Sequence, residues 1–527
     1  MSLVGTVVTQ SINLALKTTL ACILLIGAYF LSPIALRRFV KDKDGNTIPP
    51  GPPTRYAYLR KYAERALDSW AKQYGDLFSI WMGSQLFVII SDPQVAKDLF
   101  VTNGAIFSSR KRYFMKSQVI LRGRAITGSP YGNTWRQHRR LATLALSPKS
   151  MEGHADIMDY EAHMLMKALY EESQRGTTPL NTTQATGRYA LNNMLILSFG
   201  IRTTSLDDPL VAKALRLTME FMELTGPWAN VIDFFEILQY IPTPKKARGH
   251  QLYADMVDTY GSMLLQFKTK MLAGEEVPDC LIKTLLENQE SEKLDWEDIC
   301  MLSAVFTLGG VHSVSGMIQW FIATLPSHPE ICAKAQEELD RVIGRDRWPT
   351  IEDEFNLPYV RAIIKELERL HAPFWNATPH FTTEDFSYKG HYIPKDTVVI
   401  LNCYTIHHNE IRYPDPFSFN PDRYLDDGLS CNESSKLSDP MARDHWAFGA
   451  GRRICPGIQT AERELWLVCS RLLWSFNFKS VPNEPISLEE YDGLSGRTPK
   501  PFRVHLTPRF EGVSKILDSA EDVPFYL

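Results

Sequence analysis

The chain has 527 residues and a formal net charge of −4, so it projects no basic field and nucleic acid is not an expected partner. Its eight cysteines contain no Cys-x-x-Cys pair, which argues against a zinc site or a disulfide framework and suits a reducing compartment. No Gly/Ser-rich linker, internal repeat or low-complexity block divides it, so one large domain behind an N-terminal segment is expected.

Residues 18–36 carry no charge and are mostly apolar, close to the roughly 20 residues needed to span a hydrocarbon core. Arg37, Arg38, Lys41 and Lys43 follow, and no Lys or Arg precedes Lys17. That asymmetry fits a signal anchor with the downstream domain in the cytosol. A cleaved signal peptide would carry its charge on the other side. Residues 1–36 are therefore read as a single transmembrane helix. The run Pro49-Pro50-Gly51-Pro52-Pro53 cannot continue a helix and makes residues 37–53 a basic, stiff connector. The catalytic domain is expected over residues 54–527.

Leu77-Phe78-Ser79-Ile80-Trp81 and Phe87-Val88-Ile89-Ile90 predict a β-hairpin, and Asp92-Pro93 predicts a helix start. Helical periodicity dominates the middle of the chain, over 155–175, 185–200, 250–272 and 296–325, and a second strand-rich stretch covers 386–401. The expected fold is mainly α with small β-sheets set to one side, an α+β class.

Three local patterns stand out. Trp135 and Arg139 lie four residues apart and share a helix face. Gly309 and Gly310 sit inside a long helix, where each costs about 1 kcal/mol relative to Ala; close helix packing is their simplest use. Glu366 and Arg369 form an i,i+3 pair, which on a solvated surface contributes roughly 0.2–0.5 kcal/mol.

The most informative segment is Phe448-Gly449-Ala450-Gly451-Arg452-Arg453-Ile454-Cys455-Pro456-Gly457. It offers one ionisable sulfur in a loop whose glycines permit positive φ and let backbone approach something flat. Phe448 can pack on a ring, and Arg453 can meet an anion beside the sulfur. A buried thiolate needs such support, because desolvation favours the thiol. The economical reading is a haem iron ligated by Cys455, with Arg453 facing a propionate.

These residues fill all six fixed positions of the haem-binding signature Phe-Gly-x-Gly-x-Arg-x-Cys-x-Gly, so the chain resembles the cytochrome P-450 family, and fungal microsomal members that oxidise secondary metabolites in particular. The resemblance implies that Trp135 and Arg139 contact a haem propionate, with His380 as a further propionate contact. Glu366, Arg369 and Arg423, the last in Pro421-Asp422-Arg423-Tyr424, correspond to a buried charge network behind the haem. Gly309-Gly310 would leave room for dioxygen. His312 and Ser313 stand where the family usually has an acid and a threonine that feed protons to bound oxygen. The substrate wall would include residues 112–121, Phe306, Phe374, Trp375 and the loop near Leu494.

The implied function is a monooxygenase, anchored in the endoplasmic reticulum membrane, that uses haem b (iron-protoporphyrin IX), dioxygen and electrons from NADPH through a cytochrome reductase to oxidise a hydrophobic small molecule, by hydroxylation or oxidative coupling. An oxygen-independent haem-thiolate isomerase or dehydratase is one alternative, and a gas-binding haem protein is another.

Overall fold

The computed structural model describes residues 2–56, 59 and 61–518, with side chains from Ala15 onward. Helices dominate and the sheets are small, in agreement with the expected α+β class. The first helix, α1, runs Ser2–Phe39, past the anticipated end at residue 36, with Pro33 inside it. Its stretch Ala15–Phe39 is long and apolar enough to cross a membrane. Its apolar side chains, among them Leu24 and Leu25, are exposed to the surroundings rather than packed on the protein.

The connector after α1 is strapped down. Arg37 at the end of α1 donates to Pro52 O at 2.8 Å and to Ser79 O at 3.0 Å. Ser79 donates from its amide to Pro50 O at 2.7 Å and from Oγ to Pro49 O at 2.6 Å. Gly51 sits so close that a Cβ there would lie 1.9 Å from Ser79 O, which explains the one glycine among the prolines.

Five strands form the main sheet: β1 (Arg55–Tyr56), β2 (Leu77–Met82), β3 (Gln85–Ile90), β4 (His380–Phe381) and β5 (Val398–Leu401), in the order β1-β2-β3-β5-β4. β2 and β3 are the predicted hairpin, antiparallel from Leu77↔Ile90 to Met82↔Gln85 across Gly83-Ser84. β3 pairs parallel with β5, and β5 antiparallel with β4, with His380 opposite Val399. This order delivers His380 from the far end of the sequence to the edge of the site. After the hairpin, Asp92 caps a helix through Val95 N at 2.8 Å with Pro93 in its first turn. The helix ends at Ala96 and widens into a π-helical turn, Lys97–Thr102.

The predicted helices form as α2 (Asn133–Ala145), α3 (Thr183–Phe199), α4 (Trp296–Thr324) and α5 (Pro358–His371), with Ala155–Glu172 and Pro244–Leu272 also as expected; α6 (Ile458–Ser475), directly after the Cys455 loop, is a helix the sequence analysis does not predict. α4 starts on a capping box in which Asp295 and Asp298 bond each other's backbone N–H. It crosses the centre of the molecule, packed on α3, α5 and α6. Its apolar length would span a membrane, yet most of it is buried inside the protein: α4 is a core helix.

The charge pair on α5 is not a surface pair. Arg369 donates through Nε and through its terminal nitrogen to the two Glu366 oxygens, each at 2.7 Å, and Arg423 reaches Glu366 Oε1 at 3.3 Å. Glu366 and Arg369 are fully buried, so the spacing is that of an interior network and the low surface value does not apply.

Candidate active site

Cys455 ends a short turn that its own backbone defines. Gly449 and Gly451 have φ of +74° and +62°, and a Cβ on Gly451 would stand 2.0 Å from Phe100 O. Side chains cannot occupy that position. Gly457 differs from expectation: its φ is −92°, which any residue can adopt, so its conformation does not require glycine. A Cβ there would lie 4.0 Å from Cys455 Sγ. The Cys455 amide donates to Phe448 O at 2.9 Å, and the chain then enters α6. Burial pushes the Cys455 thiol up, while the Gly457 N–H and the Arg139 guanidinium pull it down. The sulfur also lies at a helix N-terminus, whose dipole favours negative charge.

Above this sulfur lies a cavity of about 320 Å³ that Cys455, Phe448, Trp135, Arg139, Arg453 and His380 help to line. The structure therefore brings together every predicted cofactor-binding residue. Their donors are disposed differently from expectation. The Trp135 indole N–H is given to Ile126 O at 3.1 Å. Arg453 lies 4.0 Å over the Trp135 ring and donates to the carbonyls of Ser108, Ile126 and Ser129 at 2.7, 3.1 and 2.8 Å. Arg139 donates to Ile454 O at 2.6 Å. His380 Nδ1 bonds Phe107 O at 2.6 Å, and burial holds its ring neutral, well below the usual histidine range.

None of these guanidiniums meets a carboxylate among the described residues. Burial, with Arg110 and Arg139 alongside, lowers Arg453 to about 8. Arg110, which the sequence reading did not single out, also lines the cavity and spends its donors on Thr378 O and Pro379 O, at 2.6 and 2.7 Å. Two buried arginines, Arg110 and Arg453, and the partly buried Arg139, none with a carboxylate partner among the described residues, make a site built for an anionic group. The two propionates of haem fit that deficit, and the sulfur fits its iron.

The opposite wall comes from α4. Ser313, Gly309 and Gly310 line the cavity, and Ser313 Oγ donates to Gly309 O at 2.9 Å. The two glycines divide their work. A Cβ on Gly309 would meet nothing within 4 Å, whereas one on Gly310 would lie 2.2 Å from Met194 Sδ of α3. Open space belongs to Gly309, and Gly310 is needed for helix packing. His312 is a correction to the expected proton pair. It is not on the cavity wall; it is buried against Phe374, ring centroids 6.1 Å apart, and its Nε2 has no partner among the described residues. Burial pulls it down to about 4, so it is neutral near pH 7.

Phe306 and Phe374 line the cavity as expected, as does Ser495 of the loop near Leu494. Trp375 does not. It stacks under the Arg497 guanidinium and against Tyr404 and Tyr491.

Sequence reasoning also missed a buried triad behind the loop. His445 Nε2 lies 3.0 Å from Glu368 Oε2, and Cys431 Sγ lies 3.4 Å from His445 Nε2 and 3.6 Å from Glu368 Oε2. These groups satisfy one another, and Asp444 and Glu368 raise the imidazole above its usual range despite burial. Asp444-His445 close to Phe448 was the available signal, but nothing local names Glu368 or Cys431 as its partners.

Residues 56–506 match the cytochrome P-450 family model. The cytochrome P-450 monooxygenase polD of Polytolypa hystricis is 32% identical over 471 residues, 88% of this chain and 89% of that protein. The monooxygenase verL of Clonostachys rogersoniana is 31% identical over 510 residues, 92% and 91% of the two chains. A zebrafish cytochrome P-450 structure with progesterone shares the fold, with a TM-score of 0.73 at 24% identity over 85% of this chain and all of that one. The chain belongs to the cytochrome P-450 family and is an oxidoreductase of the monooxygenase class. Membership implies haem with a thiolate ligand, a small-molecule substrate and a redox partner.

Proposed function

We propose that this chain is a membrane-anchored haem-thiolate monooxygenase that oxidises a hydrophobic small molecule in secondary metabolism, by hydroxylation or oxidative coupling. The observation that carries the reading is Cys455 Sγ at the base of a cavity whose arginines lack carboxylate partners. Residues 1–36 form the anchor, residues 37–53 the connector and residues 54–527 the catalytic domain, held on the cytosolic face of the endoplasmic reticulum. Electrons come from NADPH through a membrane-bound reductase, steered by basic residues on the cysteine side of the molecule.

Haem b, when bound through Cys455, supplies dioxygen activation and the oxidising chemistry. The protein's part is arrangement. Arg139 and the Gly457 N–H hold negative charge on Sγ. Arg110, Arg139 and Arg453 would hold the propionates, with His380 and Trp135 fixing the frame around them. Phe306 and Phe374 keep water off the substrate face. Ser313 Oγ, resting on Gly309 O, can donate to a ligand on the cavity side and be reprotonated from water. His312, neutral and behind the wall, supports the helix.

The test is the reduced carbon monoxide complex. The native chain should give the red-shifted absorption of a thiolate-ligated haem, and Cys455→Ala and Cys455→His should lose it. Its survival in either variant removes Cys455 as the ligand. For the anchor, deletion of residues 1–36 should release the protein from microsomes, and full retention in high salt would place the main attachment elsewhere.

A further inference from the structure

The substrate class can be read from charge bookkeeping in the same cavity, and this step rests on the haem-thiolate reading. Four cationic side chains line it, Arg110, Lys116, Arg139 and Arg453, against two carboxyls, Glu368 and Glu464. Glu368 is engaged behind the wall by His445. Burial raises Glu464 to about 8, which keeps it uncharged near neutral pH. Two propionates would have three guanidiniums to meet: Arg453 of the cysteine loop, Arg139 bonded to Ile454 O of that loop, and Arg110, bonded to Thr378 O and close enough to Arg453 to lower it. Lys116 is left over.

Lys116 also comes from a different element. It sits in the π-helical segment Phe114–Ile120, whose Met115, Val119 and Ile120 are buried in the core. The segment cannot swing the lysine outward without unpacking them. Gly128 lies along its stem, where a Cβ would make an ordinary contact, 3.7 Å from Lys116 Cε. The ammonium makes one hydrogen bond, from Nζ to Thr127 Oγ1 at 3.2 Å, and has two further protons to give. No acid pairs with it among the described residues, and the charge acting on it is that of another cation, Arg110. Lys116 is partly buried, and a partly buried cation with no acid beside it carries a penalty that a matching anion relieves. The rest of this wall, with Met194, Phe221, Met222, Val305 and Phe306, suits an apolar body.

We infer that Lys116 and Thr127 anchor a carboxylate carried by an otherwise apolar substrate. Thr127 Oγ accepts from the lysine and donates its own proton to the second carboxylate oxygen, so the pair presents two donors to one planar group. Burial and Arg110 draw the ammonium down to about 7, and an arriving carboxylate reverses that direction.

The experiment uses the full-length, haem-loaded chain and a matched pair of probes, 1-naphthaleneacetate and 1-naphthaleneacetamide, which share shape and differ in charge. Binding is read from the ferric haem difference spectrum and, independently of haem, by equilibrium dialysis. The acid should bind roughly tenfold or more tightly than the amide, the scale of one charge-assisted hydrogen bond. Lys116→Met should abolish the preference by weakening the acid alone, and Lys116→Arg should keep it. Equal binding of the two probes to the native chain overturns the inference, as does a preference that survives Lys116→Met. Loss of haem from Lys116→Met, with both probes weakened alike, assigns the lysine to a propionate and also overturns it. A native chain that prefers the acid by dialysis but lacks the thiolate-type carbon monoxide spectrum would keep the anion site and sink only the haem-thiolate reading.

Discussion

Arg369 joins the charge pair on α5 to the cysteine loop: it clamps Glu366 with two hydrogen bonds of 2.7 Å and donates at 2.7 Å to His407 O. His407 passes the connection on. Its Nδ1 bonds Arg369 O at 2.9 Å, and its Nε2 accepts the Trp446 amide at 2.8 Å, two residues before Phe448. Burial and the neighbouring cations hold this imidazole neutral, well below its usual range, which is the state that can donate from one nitrogen and accept at the other.

Glu366→Gln should therefore destabilise the protein by about 3–5 kcal/mol, because it strands Arg369 and Arg423 inside. Asp422→Asn removes a partner of Lys334 at 2.6 Å, with both side chains about half exposed, and should change stability by less than about 1 kcal/mol. Denaturant unfolding of the two variants checks the contrast. Equal, small effects would show that the buried network carries no stability.

The two glycines of α4 should separate in the same assay. Gly310→Ala forces a Cβ to within 2.2 Å of Met194 Sδ and should cost about 1–3 kcal/mol, with Met194→Ala in the same chain relieving the clash. Gly309→Ala meets open space and should stabilise the helix by about 1 kcal/mol while lowering turnover, since its methyl enters the cavity. If Gly309→Ala leaves turnover untouched, the space above the sulfur is not where reaction occurs.

Much of this was legible because the signals are local. The Cys455 loop, the β2–β3 hairpin and the Glu366–Arg369 spacing each lie within a few residues and each has one dominant physical use. What escaped depends on long-range packing. Lys116 looks like an ordinary loop cation until Gly128 and Thr127 close on it. Glu368 is one of several charges on α5 until it meets His445, 77 residues away. The resemblance implies a proton role for His312 and a wall position for Trp375, but neither lines the cavity; they pack against Phe374 and Arg497 respectively.

Ser313 and His312 should now behave differently. Ser313→Ala removes a hydroxyl on the cavity wall and should lower product per NADPH, with peroxide rising; the effect lies toward the lower end of about 10²–10⁴-fold, since water can replace part of the relay. His312→Leu should retain nearly native coupling, because that ring is neutral and not on the cavity wall. The product-to-peroxide ratio at matched haem concentration decides. Native coupling in Ser313→Ala, or collapse in His312→Leu, would reverse the assignment.

Glu464 provides a pH signature. It is 1% exposed, lines the cavity, and burial raises it from 4.5 to about 8, with Asn193 pulling weakly the other way. Between those two values the folded chain keeps the proton and the unfolded chain has lost it. Stability must therefore fall as pH rises through the window, by up to about 1.4 kcal/mol per pH unit from this group. Glu464→Gln keeps the shape and removes the titration. Below pH 4.5 the native chain and the variant should be close in Tm, and the variant should gain progressively from pH 5 to pH 8. Thermal melts of the haem-loaded proteins across that range measure the gap. Parallel profiles would mean that Glu464 titrates alike in folded and unfolded chains, and that water or a cofactor group solvates it in the cavity wall.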